Sequence, residues 1–403
     1  MKAKHNFFQI LLAGCLAIWF TAFAPFVNSD TKSTPAEQET EDAQEVNRYL
    51  YVAVPGMSNY LDRGGHGLLV FDIDDGHRFV KRIATAGLKR VDGTPSNVKG
   101  ITASTATNSV YISNLETMQR IDLETEEVVW EYQYTGGADR MAMLPDGDEI
   151  YVPSFPRNRS YMMTEHWHVV DAESGDVLET IFPGISGSHN TIYGPDGKEV
   201  YMAALRDNVM AVADTDSRTI TRKIGPFSAP VRPFTINSAQ TLVYANVNRL
   251  LGFEIADLKT GEVLHRIDVE DEGFDAKLDE GKFHGGGLPS HGIGLTPDET
   301  EVWVVDEDNH ALHVYDNTVM PPVYKTTVEL DHEPHWVTFG LDGKYVYPST
   351  GQVIEIETRE IVAQLTDEHG VSVESEKMVE IHLTPDGKAV RVGDQFGIGR
   401  AAE

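Results

Sequence analysis

The sequence has a single cysteine, Cys15, and few basic residues for its size. Because Cys15 lies in an apolar N-terminal stretch, the rest of the chain has neither disulfides nor thiol chemistry. Its 33 Lys and Arg residues are outnumbered by 63 Asp and Glu, which gives a formal net charge of −30 at pH 7. Nucleic acids and anionic membranes are bound through clustered Lys and Arg, so we expect neither as a partner, apart from a possible N-terminal membrane anchor.

Motifs that mark several common enzyme classes are also absent. The sequence contains no G-x-S-x-G turn, no G-x-x-x-x-G-K-[ST] phosphate loop, no H-E-x-x-H and no C-x-x-C-H. Its one run of three glycines, Gly285-Gly286-Gly287, precedes a predicted strand rather than a helix, unlike a dinucleotide-binding fingerprint. The sequence therefore supports neither a nucleotide-dependent enzyme nor a c-type cytochrome.

The first 29 residues have the features of a targeting signal. Lys2 and Lys4 precede an apolar stretch over residues 7–27, and residues 27–29 have the small side chains expected before a cleavage site. Residues 12–15 (LAGC) also resemble a bacterial lipobox, in which Cys15 would carry the lipid, and a retained anchor is a third possibility. Each of these alternatives predicts an exported protein, periplasmic or extracellular.

The remaining sequence repeats one pattern: a small apolar strand, a Pro-Asp-Gly type of turn and an aromatic-rich strand. Weaker copies begin at Val98, Pro230 and Lys377. Copies recur every 40 to 59 residues, and a period of this size built only from strand signals is typical of a β-propeller. The four clearest copies are GADRMAMLPDGDEIY (137–151), GSHNTIYGPDGKEVY (187–201), PSHGIGLTPDETEVWV (289–304) and EPHWVTFGLDGKYVY (333–347).

The repeat count predicts an all-β, seven-bladed β-propeller over residues 46–403, preceded by a disordered acidic spacer at 30–45. Six repeats are complete. The strands from Tyr49 onward lack an innermost strand, which residues 379–383 can supply, so joining the two ends closes the ring. Residues 388–394 look like a superfluous second strand, so they either pair elsewhere or belong to an eighth blade.

The best copies carry a recognisable motif. Pro289 to Val304, followed by Val314-Tyr315-Asp316, and Pro334 to Tyr347 resemble the repeats of the YVTN-type β-propeller family. The resemblance covers roughly residues 46–396 and implies an exported seven-bladed propeller. It implies little about activity, since a shared fold carries no residue roles by itself.

The residue six before each turn proline, here called the anchor, precedes or begins an innermost strand, so successive anchors should surround one end of the central channel. Several anchors are basic or histidine, and Arg140 adjoins the anchor Asp139. This set would bind a small anion such as a carboxylate or sugar acid. Converging histidines could instead hold a divalent metal, with His382 as a further ligand. The predicted binding residues are Lys99, Arg140, His189, Arg232, His291 and His335, and the predicted metal ligands are His189, His291, His335 and His382.

Three long loops, at residues 55–67, 153–167 and 270–290, should share that end of the channel. The second loop carries Arg157, Arg159 and Tyr161, a combination suited to a planar anion or a glycan. Two functions remain open from sequence. One is an exported binding or interaction protein, and the other is a propeller enzyme of lyase, lactonase or metal-dependent oxidoreductase type.

Overall fold

A computed structural model of the chain describes residues 46–57, 60–89, 92–154, 165–269 and 289–401. These residues form seven antiparallel sheets in a ring, which is a seven-bladed β-propeller, and they belong to one compact unit over residues 44–403. The predicted fold is confirmed, and the eight-bladed alternative is wrong. Among the described residues there is no helix long and apolar enough to cross a membrane.

Six blades contain four consecutive strands each, with the first strand innermost and the fourth outermost. The first three of them comprise β4 (Val98–Ser104), β5 (Ser109–Asn114), β6 (Thr117–Asp122) and β7 (Val128–Gln133); β8 (Ala142–Met143), β9 (Glu149–Pro153), β10 (Trp167–Asp171) and β11 (Val177–Ile181); and β12 (Ser188–Tyr193), β13 (Glu199–Ala204), β14 (Met210–Asp214) and β15 (Thr219–Ile224). The next three comprise β16 (Val231–Ile236), β17 (Leu242–Val247), β18 (Gly252–Asp257) and β19 (Val263–Asp268); β20 (Ile293–Leu295), β21 (Glu301–Asp306), β22 (Ala311–Asp316) and β23 (Val323–Glu329); and β24 (Val337–Phe339), β25 (Tyr345–Pro348), β26 (Gln352–Glu355) and β27 (Ile361–Gln364).

The seventh blade joins the two ends of the described chain. It contains β1 (Asn47–Val54), β2 (Gly67–Asp72), β3 (Arg78–Ile83), β28 (Met378–Leu383) and β29 (Ala389–Val392). Strand β28 pairs with β1 in antiparallel register, with Val379 opposite Tyr51. The ring closure predicted from the missing innermost strand is thus confirmed.

Strand β29 accounts for residues 388–394, which the repeat count left without a place. It pairs with the edge of β28 that faces away from β1, so the blade has five strands in the order β29-β28-β1-β2-β3. Strand β28 is equivalent to the innermost strand of each four-stranded blade. Because β29 pairs with its inner edge, β29 lies in the central channel. It covers a backbone edge that would otherwise be unpaired.

Each blade buries one large aromatic side chain from its second strand. These residues are at most 1% exposed, and they pack where neighbouring blades meet. Burying a side chain of this size contributes about 2 kcal/mol or more. The repeated aromatic in the sequence pattern is therefore the inter-blade contact. The set consists of Tyr51, Tyr111, Tyr151, Tyr201, Tyr244, Trp303 and Tyr347.

Six of the seven hairpins before the outermost strands share one turn. An aspartate such as Asp257 accepts hydrogen bonds from the backbone N–H groups two and three residues later, at 2.8 and 2.6 Å. The fourth residue after the aspartate has a positive φ, which glycine adopts without strain, as at Gly261 (φ 78°). Glu126 (φ 60°), Arg218 (φ 53°) and Arg359 (φ 66°) fill that position in the three copies of this turn that lack glycine.

The channel has two distinct ends because all innermost strands run in the same direction. At one end lie the anchors and the residues just before these strands, and we call this end the histidine mouth. At the other end lie the turns that follow the same strands, such as those at Pro145, Pro297 and Asp342, and we call it the turn face.

Candidate functional site

Six consecutive blades contribute one predicted residue each to the histidine mouth. The side chains lie near enough to shift one another's pKa values or to touch directly. The seventh blade adds Glu376 and Lys377, which precede β28 and which the sequence reasoning missed because it took Val379 as the anchor. The predicted members are Lys99, Arg140, His189, Arg232, His291 and His335.

Asp139, His189 and Arg140 form a hydrogen-bonded chain. His189 Nδ1 lies 2.5 Å from Asp139 Oδ2, and Arg140 Nη1 donates to His189 Nε2 at 2.7 Å. Burial lowers the pKa of His189 to about 4, so the imidazole is neutral and its single proton is on Nδ1. Both ring nitrogens are therefore engaged. His189 orients Arg140 and has no lone pair left for a metal or for general-base chemistry.

Arg140 is also held by the seventh blade. It pairs with Glu376, which lies 2.5 Å from Lys377 Nζ, and its guanidinium carbon is 4.8 Å from the centre of the Trp336 ring. Burial disfavours the charged form of Glu376, but Lys377 and Arg140 hold its pKa well below the usual range. Burial lowers the pKa of Lys377 to about 7. Arg140 is thus a fixed, charge-compensated group.

Arg232 differs from Arg140 in having no partner among the described residues. Its side chain is buried, its Nε has no hydrogen bond, and no ion pair links it to any residue that the structure describes. Burial and then the charge of Arg140 lower the pKa of Arg232 to about 10, so it still carries its charge at neutral pH. A buried guanidinium with unsatisfied donors is costly unless something else binds it.

Lys99, on β4, is half-buried and contributes a second cation. It makes no hydrogen bond or ion pair within the described part of the chain. Its charge helps to lower the pKa of Asp139, although the larger effects there are burial, which acts in the opposite direction, and His189. The mouth is more mixed in charge than the sequence suggested, and its uncompensated cations are Arg232 and Lys99.

His291 and His335 are neighbours, with ring centres 6.4 Å apart. His291 Nδ1 donates to the backbone oxygen of His335 at 2.9 Å, and burial lowers the pKa of His291 well below its usual value. This bond ties one blade to the next. His335 instead faces two carboxylates, with Nδ1 3.1 Å from Glu307 and Nε2 3.8 Å from Glu333.

The remaining predicted residues lie elsewhere. The structure does not bring His382 to the mouth: it follows Lys377 by five residues on an extended strand, a distance of about 16 Å, and its Nε2 is 2.6 Å from Glu380. Its neighbours are Arg48 and Asp74, near the turn face. Arg157, Arg159 and Tyr161 lie outside the described residues, as do residues 1–45.

The floor of the mouth is formed by residues 393–401, which we call the C-terminal segment. After β29 the chain turns inside the channel, where Gln395 accepts a backbone hydrogen bond from Ile101 and a bond from the Trp336 indole N–H. Phe396 packs on Trp336 with ring centres 5.9 Å apart. The segment therefore contacts the two blades that flank the seventh blade.

The C-terminal segment then runs back towards the turn face along β16 and β20. The Gly397 carbonyl accepts from Thr235 Oγ1 at 2.7 Å and from the Leu295 N–H at 2.9 Å. The backbones are so close that a Cβ on Gly397 would lie 3.0 Å from Gly294 Cα. With Phe396 and Ile398 buried, the segment closes the channel.

A cavity of about 1110 Å³ opens at the turn face, bounded in part by the C-terminal segment. Judged by cavity volume, the binding site would lie at the turn face. Judged by the chemistry of the side chains, it would lie at the histidine mouth, at the other end of the channel. The chemistry favours the mouth, because three of the four cations that line the turn-face cavity are paired with carboxylates and the fourth, Arg391, is exposed to solvent. Arg359 and Lys325 pair with Glu301, and Arg400 pairs with Asp394.

Comparison with known proteins adds no family. No protein-family model matches the chain, and a search of curated proteins found no relative. The likeness to YVTN-type repeats therefore stays a resemblance, while the seven-bladed arrangement that it implied is observed. The propeller fold supports a binding or interaction role in general terms.

Proposed function

We propose that the protein binds a small organic anion, a carboxylate or sugar acid, in the histidine mouth. The observation that carries this proposal is Arg232, a buried guanidinium without a partner among the described residues. A carboxylate placed against it would satisfy its donors in a bidentate pair and offset the charge that burial makes unfavourable.

The surroundings of Arg232 support a small ligand. Lys99 supplies a second uncompensated charge, and Trp336 provides an apolar wall. Arg140 is fixed in position by His189 and Glu376. Such a site is organised before the ligand arrives, so little of the binding free energy is lost in ordering side chains.

The proposal is tested by calorimetric titration of acetate, succinate, citrate, gluconate and galacturonate. We expect at least one of them to bind the wild-type protein, and Arg232→Gln to weaken that binding about 10- to 100-fold, the range of a lost charge-assisted contact. Arg78→Gln is the matched control, since Arg78 lies on the outer strand β3, where it pairs with Asp75.

The stability of the same variant separates a ligand site from a structural arginine. Removing an unpaired buried charge should leave the melting temperature unchanged or raise it. A large loss of stability, or unchanged affinity for the anion in Arg232→Gln, would contradict the proposal. So would the absence of binding by all five anions.

Export of the protein remains a proposal that rests on the apolar residues 7–27 and the basic residues before them. Mass spectrometry of the protein from fractionated cells tests it. Cleavage after Ser29 or a lipid on Cys15 would support export by either route, and an intact chain in the cytoplasm would contradict it.

A further inference from the structure

One wall of the histidine mouth holds three potential metal ligands from two neighbouring blades. Glu307 directly follows β21, while Glu333 and His335 lie in the loop before β24. One carboxylate oxygen from each glutamate and one ring nitrogen of His335 all lie within 4.8 Å of one another. This is the one group of its kind within the residues that the structure describes.

Glu307 is an unusual carboxylate. Its side chain is 2% exposed, and its Oε1 makes no hydrogen bond, although His335 Nδ1 lies 3.1 Å away. The contact has the distance of an ion pair but lacks hydrogen-bond alignment. A buried carboxylate oxygen without a hydrogen bond needs a nearby cation, and a coordinated metal ion supplies one.

We infer that Glu307, Glu333 and His335 bind one divalent transition-metal ion. Two carboxylates and one imidazole suit Mn²⁺, Fe²⁺ or Zn²⁺ better than Mg²⁺ or Ca²⁺, which prefer oxygen donors alone. Metal–ligand distances of about 2.0 to 2.2 Å place ligand atoms at most about 4.4 Å apart. The group needs only a small closure, which the partly exposed Glu333 can make on its loop.

The site differs from a ring of histidines because His189 is fully engaged and His291 lies outside the group. Both nitrogens of His189 are engaged by Asp139 and Arg140, and Nδ1 of His291 donates to the His335 backbone. Of the four predicted metal ligands, only His335 lies in a group of this kind. Three protein ligands leave coordination positions open towards the mouth for water or another donor.

The test uses the full-length protein without a His tag, stripped with EDTA and dialysed. Zn²⁺ is titrated by calorimetry, and bound Mn²⁺ is counted by electron paramagnetic resonance. We expect one ion per chain. Glu307→Gln should weaken binding by about 100-fold or more, because removal of a direct ligand costs at least as much as loss of its supporting contacts.

His382→Asn is the matched control, since His382 also faces a glutamate, Glu380, but outside the mouth. It should bind metal as the wild type does. Thermal unfolding checks that each variant folds. If Glu307→Gln does not fold, Glu333→Gln replaces it, because Glu333 lies on a loop. Wild-type affinity in a folded ligand variant, or no bound ion in the wild type, would overturn the inference.

Discussion

The same position in three blades holds histidines in two different electrostatic states. Burial keeps His189 neutral, with a pKa of about 4, and lowers the pKa of His291 well below its usual value. His335 is partly exposed; burial acts to lower its pKa, but Glu307 and then the other carboxylates near it raise it. The state of each imidazole is thus set by the side chains opposite it, not by its place in the repeat.

A buried histidine outside the mouth gives a pH prediction. Burial lowers the pKa of His77 to about 4, and its Nε2 lies 3.1 Å from the Tyr347 hydroxyl. The unfolded chain takes up this proton first as the pH falls, so the contribution of His77 to stability is complete above pH 6.5 and is lost towards pH 4. We expect the wild type to lose about 2 kcal/mol more than His77→Asn between pH 7 and pH 5.

Urea unfolding at the two pH values measures this difference. Asparagine suits position 77, because the backbone there has φ 61°. His369→Asn, at an exposed surface turn, is the control and should keep the wild-type dependence. Equal pH dependence in the wild type and His77→Asn would show that His77 is not the titrating group.

For single residues, the sequence predicts where a side chain lies in the ring better than it predicts which side chains it contacts. The anchor rule identified Lys99, Arg232 and the three histidines of the mouth. Glu307, Glu376 and Lys377 were missed because they lie a few residues away from the anchor position, and only the curvature of the ring brings them in. His382 was predicted in the same group but lies near the end of β28, and a histidine on an innermost strand lies at the mouth only near the start of that strand.

At the scale of elements, β29 and the C-terminal segment are the additions to an otherwise regular propeller. The strand pattern at 388–394 was visible in the sequence. Which edge it would pair with was not, because that choice depends on the long-range closure of β1 on β28. The contacts of Gly397 with Gly294 have no local pattern that could reveal them.

Truncation after Val392 should leave the ring folded but less stable. It removes the buried Phe396 and Ile398, whose transfer to water costs about 3 to 5 kcal/mol together. It also uncovers Trp336, which packs edge-to-face against Phe396, so the tryptophan emission should shift to the red.

Urea unfolding and fluorescence measure these effects, and truncation after Arg400 is the control, because it keeps the contacts of Phe396, Gly397 and Ile398. A truncated protein with wild-type stability and emission would show that the segment does not occupy the channel in solution.

At the scale of the whole molecule, stability depends on ring closure. Each blade buries its apolar faces only against its neighbours, so a missing strand exposes both a sheet edge and an inter-blade surface. The period of the repeat and the incomplete first blade were enough to predict seven blades and the strand that completes them. The prediction succeeded because the repeated apolar and aromatic residues are the ones that pack between neighbouring blades.

Deletion of residues 377–403 should unfold the whole domain, since it removes β28 as well as the C-terminal segment. Circular dichroism and hydrogen exchange would then show loss of structure in all blades, whereas the truncation after Val392 retains it. A deletion variant that unfolds in one transition with the wild-type denaturant dependence would contradict a closed ring as the cooperative unit.

The C-terminal segment gives the propeller the form of a cup rather than a tube. A molecule that enters at the histidine mouth meets Trp336, Gln395 and Phe396 at the bottom and must leave by the route it came. A ligand would therefore enter and leave through the same opening. A large partner bound at the rim of that opening would prevent the ligand from dissociating. If the proposed anion binds in the mouth, this shape would retain or present it and would not pass it through the ring.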